Sequence, residues 1–138
     1  RCAQCHGSLN FYTPSELLVN GLDTNYAATG DGGLAHETGI SGQDGLFRVV
    51  SLRNVGLSAP YMHDGRFSTL REVIDFYADG IQPHPNLNHR LSPDGFGPNG
   101  QTPLQMELTD EERDALVAFL HTLTDTTDFT LSPWGSPF

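Results

Sequence analysis

The sequence contains no lysine, and positive charge is scarce throughout. Its seven basic residues are all arginine and are opposed by 17 acidic residues, which gives a formal net charge of −10. Nucleic acid is therefore not the expected partner, because binding its phosphates requires a basic face. An acidic surface instead attracts and orients a basic protein partner over long range.

Cysteine and long apolar runs are also nearly absent. The only two cysteines, Cys2 and Cys5, could close no more than a trivial loop, which excludes a disulfide scaffold. No apolar run reaches the ~18 residues of a membrane-spanning helix, and no secretory signal opens the chain. Because a chemically important cysteine follows directly on Arg1, we expect these 138 residues to be one domain of a longer protein, either cut there or lacking its N-terminal half.

The chain from Gly7 to about Val50 is rich in Gly, Asn, Asp and Thr, which favours loops. A short helix is expected at Pro14–Val19, because proline suits the first turn of a helix. Leu46–Leu52 is expected to be extended.

Two capping boxes predict helix starts further along the chain. Thr69 and Glu72 form the first box, and the apolar spacing after it predicts a helix over about Leu70–Asp79. Five prolines and four glycines then predict a long loop over Gly80–Pro103.

The last helix begins at the second capping box, formed by Thr109 and Glu112, with acidic residues in its first turn. Its apolar residues recur at helical spacing and form one stripe: Leu116, Phe119, Leu120 and Leu123. The segment Thr124–Phe138 is rich in Thr, Ser and Pro and is expected to lie over a surface.

The first residues contain C-x-x-C-H, the attachment signature of c-type haem, formed by Cys2, Cys5 and His6. Two thiols at this spacing reach the two vinyl groups of one porphyrin, and the adjacent imidazole binds the iron. The motif therefore predicts one covalent haem c with His6 as the proximal ligand. A domain with so few helices has too little apolar material for a core, and a buried macrocycle would supply it. The expected fold is accordingly mostly α, a loop-rich, cytochrome c-like domain with few short helices around the haem.

Two other kinds of site would use the same cysteines. A zinc site would add His84 and His89, but the long gap between the two pairs differs from the compact spacing of zinc fingers. A thioredoxin-like redox pair requires a strand before the motif and a helix after it, which this sequence does not present.

The second axial ligand decides whether a haem transfers electrons or activates a bound molecule. Met106 precedes the second capping box, where a packing residue is expected. Met62 lies in a tight polar turn and is either a ligand or a packing residue, and Tyr77 is a third candidate. The remaining histidines are expected at the surface or in turns: His36, His84 and His89 in loops, and His121 on the solvent face of the last helix.

Three further segments carry a family pattern. They are SLRNVGLSAPYMHDGRFSTL at 51–70, VIDFY at 73–77, and the last helix with LTDEE at 108–112 and AFLHTL at 118–123. Together with the haem motif, they closely resemble the C-terminal haem domain of bacterial dihaem cytochrome c peroxidases and the related MauG enzymes. The resemblance runs from Cys2 to the C-terminus.

This resemblance implies a ligand opposite His6. The peroxidase branch carries a methionine on the helix after the H-D-G turn, whereas the MauG branch carries a tyrosine, and Tyr77 stands at the matching position. A phenolate is a hard anion that favours ferric and higher oxidation states, whereas a thioether favours ferrous iron. The alternative role of Tyr77 is that of an aromatic core residue. With Tyr77 as the ligand, Met62 is expected to pack.

The resemblance also implies one calcium ion between two haem domains, with carbonyl ligands that fall at Ser58 and Pro60. Arg53 is expected to bind a haem propionate through bidentate hydrogen bonds, and its alternative role is that of a surface arginine.

In this family, peroxide reacts at an N-terminal haem, and this chain does not contain that site. The resemblance therefore implies the second half of a dihaem oxidoreductase, which relays electrons between the peroxide-reacting haem and an external donor or substrate. The expected partners are the N-terminal haem domain or subunit and a basic redox protein, and the expected location is the periplasm. The alternative is a self-sufficient monohaem electron carrier, or a cytochrome subunit of a larger complex, that uses Met62 or Met106 as a ligand.

Overall fold

The computed structural model describes residues 2–7, 17–93 and 102–125. These ranges contain three α-helices and one two-stranded sheet. The elements in chain order are β1 Leu17–Leu18, α1 Leu34–Thr38, β2 Phe47–Arg48, α2 Leu70–Asp75 and α3 Asp110–Thr122. Loops and short 3-10 turns connect them, so the predicted loop-rich fold with few short helices is confirmed.

Both predicted capping boxes form. The Thr69 hydroxyl accepts a hydrogen bond from the Glu72 N–H at 3.2 Å, and the Glu72 carboxylate accepts one from the Thr69 N–H at 2.8 Å. Thr109 and Glu112 repeat this arrangement at the start of α3. A capping box involves residues only three apart, which is why the sequence predicts these two helix starts correctly.

The helix that follows the first box changes type in its second half. The residues after Asp75 form a π-helix, Phe76–Gly80, rather than a further α-helical turn. The Phe76 N–H donates to the carbonyls of both Glu72 and Val73, where the hydrogen-bonding register changes. The predicted helix is therefore correct in position, and its last turn is wider than expected.

Two expectations for the first part of the chain are wrong. A helix was expected to reach Val19, but Leu17–Leu18 form β1, which pairs antiparallel with β2 so that Leu18 lies opposite Phe47. The extended segment predicted at 46–52 contains β2 and is confirmed in part. In contrast, α1 forms in a region expected to be loop, and its five residues are too few to show a helical period.

The core lies where the segment after β1 packs against the π-helix and the loop that follows it. Its members are Val19, Leu22, Tyr26, Phe76, Ile81 and Leu87. Tyr26 is completely buried, and Gly45, at φ +76°, makes room for its ring. A Cβ at Gly45 would lie 2.5 Å from that ring, so a larger residue would displace it.

The last helix packs against α2 but adds no fully buried residue to the core. Its predicted apolar stripe is present, and Phe119 within it is 51% exposed. The predicted surface tail beyond residue 125, and the part of the predicted long loop at 94–101, lie outside the described residues. Among the described residues, no helix has the length and apolar character that crossing a membrane would require.

Candidate haem site

The C-x-x-C-H segment folds as a short turn. Cys2–Gln4 form a 3-10 turn, and the Cys2 carbonyl accepts hydrogen bonds from the N–H groups of Cys5 at 3.1 Å and His6 at 2.9 Å. Cys2 is exposed and Cys5 is half-buried, and neither forms a disulfide. Both residues therefore keep the thiol that thioether attachment requires.

The His6 ring is held by a residue far away in sequence. Its Nδ1 lies 3.1 Å from the carbonyl oxygen of Val50. Because a carbonyl only accepts, Nδ1 must carry the hydrogen, and Nε2 then carries the lone pair. A hydrogen bond from the other ring nitrogen to a backbone carbonyl is the usual way in which proteins orient a metal-binding histidine.

Tyr77 lies in the π-helix Phe76–Gly80. Tyr77 is half-buried between the fully packed Phe76 and Ala78, and its ring meets the Phe76 ring edge-on at a centroid distance of 5.0 Å. Its hydroxyl is close enough to Cys2 and Cys5 for charge on their sulfurs to affect it. The structure therefore brings together the motif and the tyrosine that the sequence singled out. π-Helical turns are rare and frequently occur at functional sites.

The environment of Tyr77 opposes ionisation of the uncoordinated side chain. Burial raises the pKa of Tyr77 to about 12, charge on Cys2 and Cys5 adds to the rise, and a hydrogen bond from Asn20 opposes it. Thioethers carry no charge, so attachment of a haem would remove the contribution of the two cysteines.

Asn20 is a site residue that no sequence motif marks. Its Nδ2 lies 3.8 Å from Met62 Sδ, and its Oδ1 accepts a hydrogen bond from the Tyr26 hydroxyl at 2.9 Å. The residue thus links one candidate ligand, Met62, to the core. Sequence patterns do not reveal this role, because Tyr26 and Met62 lie 6 and 42 positions away in the sequence.

Arg66, which follows the H-D-G turn, ties that turn to the loop that carries Asn20. Its guanidinium bonds both Asp23 oxygens, at 3.2 and 2.7 Å, and the carbonyl of Leu22 at 3.2 Å. It also contacts Asp64 Oδ2 at 2.6 Å. These carboxylates raise the pKa of Arg66, so its charge is fixed. The arrangement holds the two loops that carry Met62 and Asn20 against each other.

Comparison with known proteins gives the family. No protein-family model matches the chain. It is 39% identical over 108 residues to methylamine utilization protein MauG of Paracoccus denitrificans, a match that covers 69% of this chain and 27% of that protein. It is 29% identical over 127 residues to the cytochrome c551 peroxidase of Pseudomonas aeruginosa, covering 89% of this chain and 30% of that protein.

A solved structure is similar as well. The crystal structure of a MauG-like protein associated with microbial copper homeostasis matches with a TM-score of 0.69 and 38% identity, over 96% of this chain and 44% of that chain. The chain belongs to the MauG and cytochrome c peroxidase family. It spans less than a third of the length of the two curated relatives named here.

Membership of the MauG and cytochrome c peroxidase family implies a c-type haem, and the residues that the structure brings together fit one. Cys2 and Cys5 supply the thiols, and His6 has the tautomer that leaves Nε2 as the ligating atom. Arg90, another residue without a sequence motif, lies 3.9 Å from Cys5 Sγ through Nη1.

The zinc alternative is not supported by the structure. His84 is buried, with an exposed fraction of 3%, rather than at the surface. Its Nδ1 accepts a hydrogen bond from the Asn86 N–H at 3.0 Å, so Nε2 carries the hydrogen that faces Asp44 Oδ2 at 3.2 Å. Both ring nitrogens are therefore in use. Among residues 2–7, 17–93 and 102–125, no three His, Cys, Asp or Glu side chains are grouped to hold a metal ion.

His36 and His121 are exposed, as expected, but His36 lies in α1 rather than in a loop. His89 begins a 3-10 turn. Met106 is half-buried beside the π-helix, where its N–H donates to the Ala78 carbonyl at 2.9 Å. Its expected role as a packing residue stays a prediction.

Three residues that the family resemblance singled out lie on the loop before the H-D-G turn. Arg53 is exposed, and its N–H donates to Ser51 Oγ at 3.2 Å. Ser58 and Pro60 are also exposed, and Ser58 Oγ donates to the Val55 carbonyl at 3.1 Å. The propionate and calcium roles of these residues stay predictions.

Proposed function

We propose that this chain is the second-haem domain of a dihaem, MauG-like or cytochrome c peroxidase-like oxidoreductase, and that it relays electrons between a peroxide-reacting haem and an external donor or substrate. The observation that carries the proposal is the hydrogen bond from His6 Nδ1 to the Val50 carbonyl, next to Cys2 and Cys5. It orients a histidine of the haem signature as an iron ligand.

Each residue of the site has a defined part in this proposal. Cys2 and Cys5 would attach the porphyrin through their thiols, and His6 would ligate the iron. Tyr77 would be the second protein ligand, a hard, anionic one that favours ferric iron. When bound, the haem would supply a one-electron redox couple. Two protein ligands would suit electron transfer rather than reaction with peroxide.

The partners follow from the same proposal. The peroxide-reacting haem belongs to an N-terminal haem domain or subunit, and a basic redox protein is the external partner, attracted by the net charge of −10. The proposed location is the periplasm, because thioether attachment of c-type haem takes place on that side of the membrane in bacteria. A calcium ion at the Ser58 and Pro60 carbonyls would join the two haem domains.

The alternative is a monohaem electron carrier with a methionine ligand. Met62 Sδ lies 3.8 Å from the amide of Asn20, a residue that also opposes the rise in the pKa of Tyr77, and this position favours Met62 over Met106 for that role. A methionine-to-iron charge-transfer band in the ferric protein that survives Tyr77→Phe would support this alternative.

The test of the relay uses the longer protein that contains this chain, produced with its haems attached. We expect a Cys2→Ala, Cys5→Ala double variant to lose one of two denaturation-resistant haems and most of the peroxide turnover with a reduced basic cytochrome. Arg48→Ala, which changes an exposed residue of β2, is the control and should keep both haems and the peroxide turnover. Peroxide turnover by this chain alone, or unchanged turnover in the double variant, would contradict the proposal.

A further inference from the structure

Arg90 lies on a short turn that the core holds in place. Its N–H donates to Asn88 Oδ1 at 2.9 Å, and the Asn88 N–H donates to the carbonyl of the completely buried Val19 at 3.0 Å. On the other side of the turn, the Leu91 carbonyl accepts the Leu104 N–H at 2.7 Å. The backbone of Arg90 is therefore fixed between two segments that are distant from it in the sequence.

The side chain of Arg90 reaches the haem signature at the start of the sequence. Its Nη1 lies 3.9 Å from Cys5 Sγ, although 85 positions separate the two residues. Cys5 is itself held in the turn of the motif, because its N–H donates to the Cys2 carbonyl at 3.1 Å. Both Arg90 and Cys5 are half-buried. The contact thus joins two fixed segments and places a guanidinium beside one attachment point of the haem.

Attachment of the haem would leave a positive charge at this point. The Cys5 sulfur would become an uncharged thioether on a former vinyl group, whereas a guanidinium cannot be deprotonated in a protein. The vinyl groups and the two propionates extend from opposite halves of the porphyrin. The carboxylates of the haem itself would therefore not neutralise the charge of Arg90.

We propose that Arg90 raises the reduction potential of the haem attached at Cys5, through the positive charge that it holds beside the thioether. This inference rests on the proposed function, which requires the haem. Reduction adds one electron, taken from the external donor, to ferric iron and gives ferrous iron, and a nearby positive charge stabilises the state with the added electron. Because Arg90 is half-buried, salt screens this attraction less than it screens that of an exposed arginine.

Arg90 and Tyr77 then act in opposite directions on one redox couple. A phenolate ligand favours ferric iron and lowers the potential, whereas the charge of Arg90 favours ferrous iron and raises it. A relay haem must accept an electron from its donor before it passes the electron on. Arg90 therefore assists the step in which this haem is reduced.

The test is spectroelectrochemical titration of the haem-loaded protein. Arg90→Gln removes the charge and keeps an N–H donor for the sulfur. We expect its equilibrium constant for reduction to fall about tenfold, which is about 59 mV toward lower potential for a one-electron couple. Arg90→Lys keeps the charge and should keep most of the potential. If Arg90→Gln does not fold, Arg90→Leu removes the same charge and is expected to give the same shift.

The matched control is Arg48→Gln, which removes the same formal charge from an exposed position of β2. Water and salt screen an exposed charge, so this variant should change the potential less than Arg90→Gln does. Raising the ionic strength should remove whatever shift Arg48→Gln produces, whereas the shift of Arg90→Gln should persist.

The outcomes that would overturn the inference can be told apart from failure of the proposed function. An unchanged potential in a folded, haem-loaded Arg90→Gln protein would overturn the role of Arg90 and leave the proposed function standing. A shift in Arg90→Lys as large as that in Arg90→Gln would also overturn it, because packing rather than charge would then set the potential. Absence of a denaturation-resistant haem at Cys2 and Cys5 in the unsubstituted protein would overturn the proposed function as well.

Discussion

His6 and Tyr77 differ in how the fold holds their reactive atoms. His6 is oriented by a hydrogen bond to a backbone carbonyl, which no side-chain substitution removes. The Tyr77 ring packs on a side chain, that of Phe76. The orientation of His6 should therefore tolerate substitutions that change the surroundings of Tyr77.

We expect Tyr77→Met to raise the reduction potential of this haem. A thioether stabilises ferrous iron where a phenolate stabilises ferric iron, and the change should be on the order of 100 mV, within the roughly 0.8 V that axial ligands span. Spectroelectrochemical titration of the purified protein measures it. Tyr61→Met is the control, because the Tyr61 hydroxyl donates to the Val55 carbonyl at 3.1 Å and the residue should not affect the iron. An unchanged potential in Tyr77→Met would show that Tyr77 is not a ligand.

Two arginines join α2 and the π-helix to α3. Asp75 lies between them, 2.9 Å from Arg71 Nε and 2.8 Å from Arg113 Nη1. Arg113 also bonds Asp79, so it contacts the chain two residues before and two residues after Tyr77. Arg71 reaches α3 through Asp110 and Asp114. This ion-pair cluster fixes the π-helix on the last helix, which is otherwise not fully buried.

The ion-pair cluster should make stability depend on acid pH. The hydrogen bond from Arg113, and then that from Arg71, lower the pKa of Asp75 below its ordinary value. The folded protein therefore binds this proton less readily than the unfolded chain does. The contribution of Asp75 to the free energy of unfolding is present above the pKa of about 3.9 in the unfolded chain. It is lost as pH falls through the lower pKa in the folded protein.

Denaturant unfolding at a series of pH values tests this expectation. The free energy of unfolding should decrease as pH falls below about 4, and Asp75→Asn should flatten that part of the profile. Glu111→Gln, at an exposed position of α3, should leave the shape unchanged. An Asp75→Asn profile with the same acid slope would contradict the role of the cluster.

At the scale of the whole molecule, negative charge strongly exceeds positive charge. Seven arginines oppose 17 acidic residues, and the described arginines 66, 71 and 113 are already paired with aspartates. The excess of acidic residues leaves a net charge of −10, which attracts a basic partner. An acidic surface of this kind increases the rate of encounter with a basic redox protein, and salt screens the attraction.

We therefore expect the second-order rate of electron transfer from a small basic cytochrome to fall steeply as ionic strength rises. Stopped-flow absorbance of the haem-loaded protein measures this rate. Neutral hydroquinone as the reductant is the control, and its rate should change little with salt because no charge steers it. A salt-independent rate with the basic cytochrome would argue against electrostatic steering.

Local patterns in the sequence were sufficient to predict the parts of this protein that depend on neighbouring residues. The two capping boxes, the positions of the helices after them, and the haem motif could all be predicted, because each involves residues within a few positions of one another. The family followed from longer segments of the same kind, and comparison confirmed it.

Tertiary structure decided what depends on residues far apart in the chain. The pairing of β1 with β2, the π-helical register at Tyr77 and the burial of His84 against Asp44 all arise from packing between distant segments. The same is true of Asn20, an ordinary loop residue by sequence, whose hydrogen bonds reach Tyr26 and Met62. The sequence by itself determined the c-type haem signature with its two cysteines and adjacent histidine, since all three lie within five consecutive residues. Only the fold could show what faces the other side of that site, because its donors and candidate ligands come from three separate segments.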